Sequence, residues 1–166
     1  LKLYKRVIDE PTDTLWTGPL YLSPGGIKVS NDSMVMLSAG MFRDFIQPNL
    51  TRLYQSFAGG YHRSCGFYPD KLNVLCETEG LTTINFGQPE LWDMPDAVAR
   101  IYQSGKFYYG PWQRFPGEPI EDYLRRGAEL CGPQRNRAIL FAKGEGPWPD
   151  PAETMDLWHR IQDQMF

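Results

Sequence analysis

Residues 57–87 read FAGGYHRSCGFYPDKLNVLCETEGLTTINFG, and the fold class turns on this stretch. Gly59-Gly60 closes a helical pattern, Gly60 to His62 is short and aromatic as a strand is, and Gly66 marks a turn. From Pro69 to Glu79 the residues Leu72, Leu75 and Cys76 recur at helical spacing, Gly80 stops the run, and Thr82 to Phe86 returns to β-branched and aromatic residues. A strand, a helix and a second strand within about 30 residues is a βα unit, whose parallel strands require a crossover of that kind.

The same alternation continues on both sides. Strands are predicted at Ile27 to Val35, Gly60 to His62, Thr82 to Phe86, Lys106 to Tyr109 and Arg137 to Ala142. The helix before His62 runs from Ala39 to Phe57, capped by Ser38, with Phe42, Ile46, Leu50, Leu53 and Phe57 on one face. Pro48 falls inside it and predicts a kink. Further helices are predicted at Pro95 to Ser104 and Pro119 to Leu130. The last opens at Asp150-Pro151-Ala152-Glu153, an N-cap acid followed by Pro at the first helical position, with Met155, Trp158, Ile161 and Met165 as its buried stripe. Residues 1–26 read as an N-terminal helix and connecting loop. The class is α/β with a mostly parallel sheet. Two architectures fit: an open, five-stranded doubly wound sheet, or about five βα units of an eight-stranded (β/α)8 barrel, which needs about 250 residues in all.

Composition excludes several function classes. The chain has 166 residues, 42% hydrophobic and 22% charged, which suits a globular domain with a core. Its 17 Lys and Arg against 20 Asp and Glu leave a net charge of -3 without runs of like charge, so no nucleic-acid partner is expected. The uncharged stretch Ser33 to Phe42 falls short of the roughly 20 apolar residues of a membrane span, so no membrane partner is expected either. Cys65, Cys76 and Cys131, odd in number and widely spaced, suggest a reducing compartment and a cytoplasmic protein. The opening at Leu1, without a start Met or a signal segment, suggests that a beginning has been removed.

In both architectures chemistry gathers at the carboxyl ends of the strands. Asp32, His62, Cys65, Glu90 and Glu145 are the residues with acid-base or metal-binding capability that fall there, from four segment ends or their turns, with His62 and Cys65 sharing one. His62 and Cys65 are three positions apart, so on a continued strand they would point to opposite faces; joint use requires the strand to end at His62 and turn. Held together, they would suit Zn(II) or a nucleophile and its base. Glu145 lies between two glycines, which permits close approach to a ligand. Trp112, Trp92 and Trp148, beside strand-end loops, are candidates to line an apolar pocket. The plainer readings are a buried thiol with a capping His, a solvated Glu145 beside Lys143, and Asp32 as a turn cap between Asn31 and Ser33.

Three segments carry a resemblance. Leu37-Ser38-Ala39-Gly40-Met41-Phe42-Arg43-Asp44-Phe45-Ile46-Gln47-Pro48 resembles the Ser-Pro-Glu-x-Phe-x-x-Phe-x-x-Pro helix of the uroporphyrinogen decarboxylase superfamily. His62 to Gly66 is similar to its His-x-Cys-Gly element with one residue added, and Gly144 to Pro151 to its Gly-x-Gly-x-x-Pro-x-x-Pro segment. The resemblance implies a TIM barrel of which this chain holds the later strands, from residue 27 to 166. It implies first a zinc-dependent methyltransferase-like enzyme that moves a methyl group from a corrinoid to a thiol. The metal ligands carried over are His62, Cys65 and Glu145, the last standing where relatives have Cys or His. Asp32 and Gln88 would orient substrate, with Trp112 beside them. The implied partners are a small-molecule substrate, a corrinoid protein, and either the missing barrel half or a second copy of the chain. The alternative is a cofactor-free lyase of porphyrin metabolism, whose Asp and Arg motifs lie upstream in relatives. A third reading, from another class, is a non-catalytic ligand-binding remnant.

Overall fold

The computed structural model describes residues 2–7, 14–17, 21–24, 26–133, 136–144 and 146–166. A short helix, α1 (Lys2–Val7), precedes an antiparallel hairpin of β1 (Thr14–Thr17) and β2 (Tyr21–Pro24), where a connecting loop is expected from sequence. The remaining strands are β3 (Ile27–Ser30), β4 (Gly60–Ser64), β5 (Leu81–Phe86), β6 (Phe107–Gln113) and β7 (Ala138–Lys143). They form one parallel sheet in the order β3-β4-β5-β6-β7. A doubly wound sheet reverses its strand order at a switch point. No reversal occurs here, so the doubly wound alternative does not describe this sheet. With right-handed crossovers, sequential order places every connecting helix on the same face.

The helices form where the apolar spacing predicts them. After β3 a 3-10 turn (Asp32–Met36) replaces the second half of the expected strand, starting within the polar run Asn31-Asp32-Ser33, where Ser33 Oγ donates to Asn31 Oδ1 at 3.1 Å. Ser38 then caps α2 (Ala39–Met41), accepting from Met41 N at 3.1 Å. The chain passes through a π-helical turn (Phe42–Ile46) into α3 (Gln47–Gln55). Pro48 accounts for that turn: it has no N–H, and its ring would collide with the carbonyl four residues back. Asn49 Nδ2 takes up the carbonyl of Phe45 at 2.7 Å. Helices α4 (Pro69–Glu77), α5 (Met94–Gln103), α6 (Ile120–Cys131) and α7 (Pro151–Met165) follow, α7 capped by Asp150. Gly80 and Gly105 close α4 and α5 with φ of 76°, a backbone conformation that favours glycine.

The core lies between the sheet and these helices. Phe42, Tyr54, Tyr68, Leu72, Leu75, Ile84, Phe86, Ile101 and Tyr108 are fully enclosed there. Phe86 stacks on Trp92 with ring centroids 4.0 Å apart. Pairing across the strands sets which residues share a face: Val29, His62, Ile84, Tyr108 and Ala138 form one row toward the helices. The next residues along point the other way. On that second face Tyr61, Tyr109 and Phe141 form a ladder, with centroids 5.8 and 5.7 Å apart, and Lys28 lies 5.4 Å above the Tyr61 ring. Ile139 and Phe141 are exposed on it, so the sheet has one face packed on helices and one open along β7.

Candidate functional site

The carboxyl ends of β3, β4 and β5 converge on Arg63. Its Nη1 donates to both oxygens of Asp32, at 3.2 and 3.1 Å, and Asp32 Oδ1 also accepts from Cys65 N at 2.8 Å. The Cys65 N–H bond, together with the Arg63 charge and against some loss of hydration, holds the Asp32 carboxyl below its ordinary range. Asp32 is therefore ionised at neutral pH and fixes the guanidinium in place. Among the described residues, Arg63 Nε and Nη2 have no hydrogen-bond partner and remain available for a ligand. Gly87 provides the room: a Cβ there would come within 2.7 Å of Cys65 Sγ and 2.9 Å of Arg63 Nη2. Beside it, Gln88 Oε1 accepts from Gly66 N at 2.8 Å, which pins the turn after β4 and leaves the Gln88 amide nitrogen open. Farther along the rim Lys143 Nζ lies 3.0 Å from Glu90 Oε2, an ion pair joining the ends of β5 and β7.

His62 is not part of this cluster. β4 continues through Ser64, so His62 and Cys65 fall on opposite sides of the chain as a spacing of three on a strand requires. The imidazole is fully buried toward the helices, where Nδ1 meets the Tyr54 hydroxyl at 2.9 Å. Gly60 makes that contact possible, since a Cβ there would lie 2.1 Å from the Tyr54 ring. His62 Nε2 is buried without a partner, and burial pushes the imidazole pKa down to about 4, so the ring is neutral near pH 7. The His62 and Cys65 metal pair expected from the sequence is thus not assembled, because the strand does not turn at His62. Glu145 lies outside the described residues. Among the described residues no three His, Cys, Asp or Glu side chains gather as metal ligands. The residues in place do not fit the expected zinc site.

Trp112 also departs from expectation. It faces α6 rather than the open face of the sheet, donating from Nε1 to the Tyr123 carbonyl at 3.2 Å, with the Arg126 guanidinium 4.5 Å over its ring. It packs in the helix layer, where with Trp92 it borders a concavity apart from Asp32 and Gln88. Asp32, Gln88 and Cys65 do meet at one rim, whereas Arg63 and Gly87 are the residues that sequence reasoning passed over. The signal for Arg63 was present in strand parity: residues 61, 63 and 65 share a face, so the side chain beside Cys65 is Arg63 and not His62. No described helix is long and apolar enough to cross a membrane. Compared with models of protein families, with curated proteins and with solved structures, the chain matches none.

Proposed function

We propose that these βα units are the later part of a (β/α)8 barrel of uroporphyrinogen decarboxylase type, and that the open rim binds a carboxylate-bearing small molecule on Arg63. The sequential parallel order and the exposed Ile139 and Phe141 on the second face of β7 support the barrel, since closure would cover them. One observation carries the site: the guanidinium of Arg63, oriented by ionised Asp32, keeps two of its nitrogens free at the carboxyl end of the sheet. A planar guanidinium with free donors is suited to a carboxylate, which it can bind through two bonds. On the same face the half-buried Tyr109 offers an aromatic ring, with Tyr61 enclosed behind it, and the Gln88 amide is a further donor.

Of the two enzymatic readings this favours the cofactor-free lyase. In such a reaction the bond to a departing carboxylate breaks, its electron pair stays on the substrate carbon, and a proton replaces the carbon dioxide lost. Arg63 would anchor a carboxylate that stays. The zinc-dependent methyl transfer has less support, because it needs the His62 imidazole at the rim.

The test is a calorimetric titration of the full chain with coproporphyrin III, a tetrapyrrole bearing four carboxylates, beside metal analysis of the same preparation. Arg63→Gln should weaken binding about tenfold or more, the worth of one lost charge-assisted contact, while His62→Asn leaves it unchanged. Equal binding by wild type and Arg63→Gln, or stoichiometric zinc lost equally on substitution of His62 and Cys65, would overturn the reading.

A further inference from the structure

A second concavity, of about 420 Å3, lies on the other side of the sheet between the segment leading into α5 and the segment leading into α6. Its volume is in the range of small-molecule sites. It is an upright groove. Trp92, Trp112 and Phe115 stand at the carboxyl-rim end, Met94 opens α5 beside them, and Ala99, Leu130 and Arg137 lie toward the opposite end, where α6 ends and β7 begins. From Met94 to Ala99 the helix rises by about 8 Å, so the groove spans much of the layer.

The charges along it are unequally matched. At the rim end Glu90 is paired with Lys143, Asp93 accepts from Asp96 N as the cap of α5, and Arg126 is held by both carboxylate oxygens of Glu118, at 2.6 and 2.9 Å. At the far end the Arg137 guanidinium lies 5.4 Å from the Tyr102 ring and over Gly132, where a Cβ would come within 2.7 Å of Arg137 Nε. Among the described residues no carboxylate lies within ion-pair distance of Arg137. Glu129, which also borders the groove, is turned out to solvent. A half-buried cation without a counter-ion at the end of an apolar groove is complementary to an amphiphilic anion.

We propose that this groove binds a free medium-chain monocarboxylate, its carboxylate on Arg137 and its chain laid along Leu130, Met94 and Trp112 toward Phe115. The Arg137 end of the groove lies where β7 begins, at the opposite end of the sheet from the Arg63 rim, so each site can fail without the other.

The test titrates the full chain with octanoate, octanol and octylammonium by calorimetry. Octanoate should bind about tenfold more tightly than octanol, the equivalent of one charge-assisted hydrogen bond, and octylammonium should not compete. Arg137→Gln should bring octanoate down to the octanol level, with Arg137→Lys restoring part of the difference. Ala99→Phe fills the groove at a partly exposed position that tolerates the ring, and should abolish binding of octanoate and octanol while coproporphyrin binding at the rim persists. Octanol binding as tightly as octanoate, or full octanoate affinity in a folded Ala99→Phe protein, would overturn the proposal.

Discussion

Replacing His62 by Asn should change how the stability of the protein depends on pH, and the change can be worked out from the burial of the imidazole. In the folded protein His62 is enclosed and its pKa lies at about 4, whereas in the unfolded chain it returns to 6.5. Between those values the unfolded chain binds more protons than the folded one, so folding stability falls as pH falls through this window. The contribution is fully present above the unfolded value, is lost progressively from about pH 6.5 to pH 4, and is constant below. A difference of 2.5 pK units, at 1.36 kcal/mol each, corresponds to about 3 kcal/mol. Asn at this position can still accept from the Tyr54 hydroxyl but cannot take up a proton. Urea denaturation of wild type and His62→Asn at pH 7, 6, 5 and 4 measures the two stabilities. Carboxylates held below their ordinary range, such as Asp32 and Glu118, also cost stability in acid, but they do so equally in both proteins. The wild-type advantage should therefore shrink by about 3 kcal/mol across the series. An advantage that stays constant from pH 7 to pH 4 would mean that His62 titrates alike in both states, as a solvated residue of the rim would. That result would refute the placement of His62 in the helix layer and restore it as a candidate ligand.

Two other predictions concern the loops around the rim. Glu118, whose side chain is only 10% exposed, accepts from Arg126 and from Phe115 N, so Glu118→Ala should destabilise by about 2–3 kcal/mol, because it strands a partly buried guanidinium. Arg43→Ala, which breaks the exposed pair with Glu77, should cost less than about 1 kcal/mol; equal losses in urea denaturation would contradict this ranking. In a thiol titration with a chromogenic disulfide at pH 8, Cys65 should react first, being half-exposed at the rim, while Cys131, buried and with its pKa pushed up to about 11, should react only on unfolding. Retention of the fast phase in Cys65→Ser would show that the exposed thiol lies elsewhere.

Much of the fold was legible because its signals are local. Ser38 and Asp150 cap the helices they precede, Gly80 and Gly105 end α4 and α5, and Pro48 distorts the helix around it. Each of these depends on side chains within a few residues of the backbone group they satisfy. The end of β3 at Ser30 and the continuation of β4 to Ser64 were less legible, and the second of these displaced the expected site. In β4 every residue except Arg63 is buried, so no alternation of apolar and polar residues marks which face is which. A strand covered by helices on one side and in contact with β2 as well hides its parity from a one-dimensional reading.

The sequence by itself determined that strands and helices alternate, that the sheet is parallel, and that Asp32, Cys65 and Gln88 come to a common edge, since successive parallel strands bring their carboxyl ends together whatever their order. Tertiary structure alone decided the order β3-β4-β5-β6-β7 and the direction of each side chain at that edge. Side chains along a strand alternate in direction at every residue, so the continuation of β4 by two residues past His62 keeps His62 and Cys65 on opposite faces. Tyr54, eight positions before His62 and on another element, could then hold the imidazole in the core and leave the rim to Arg63.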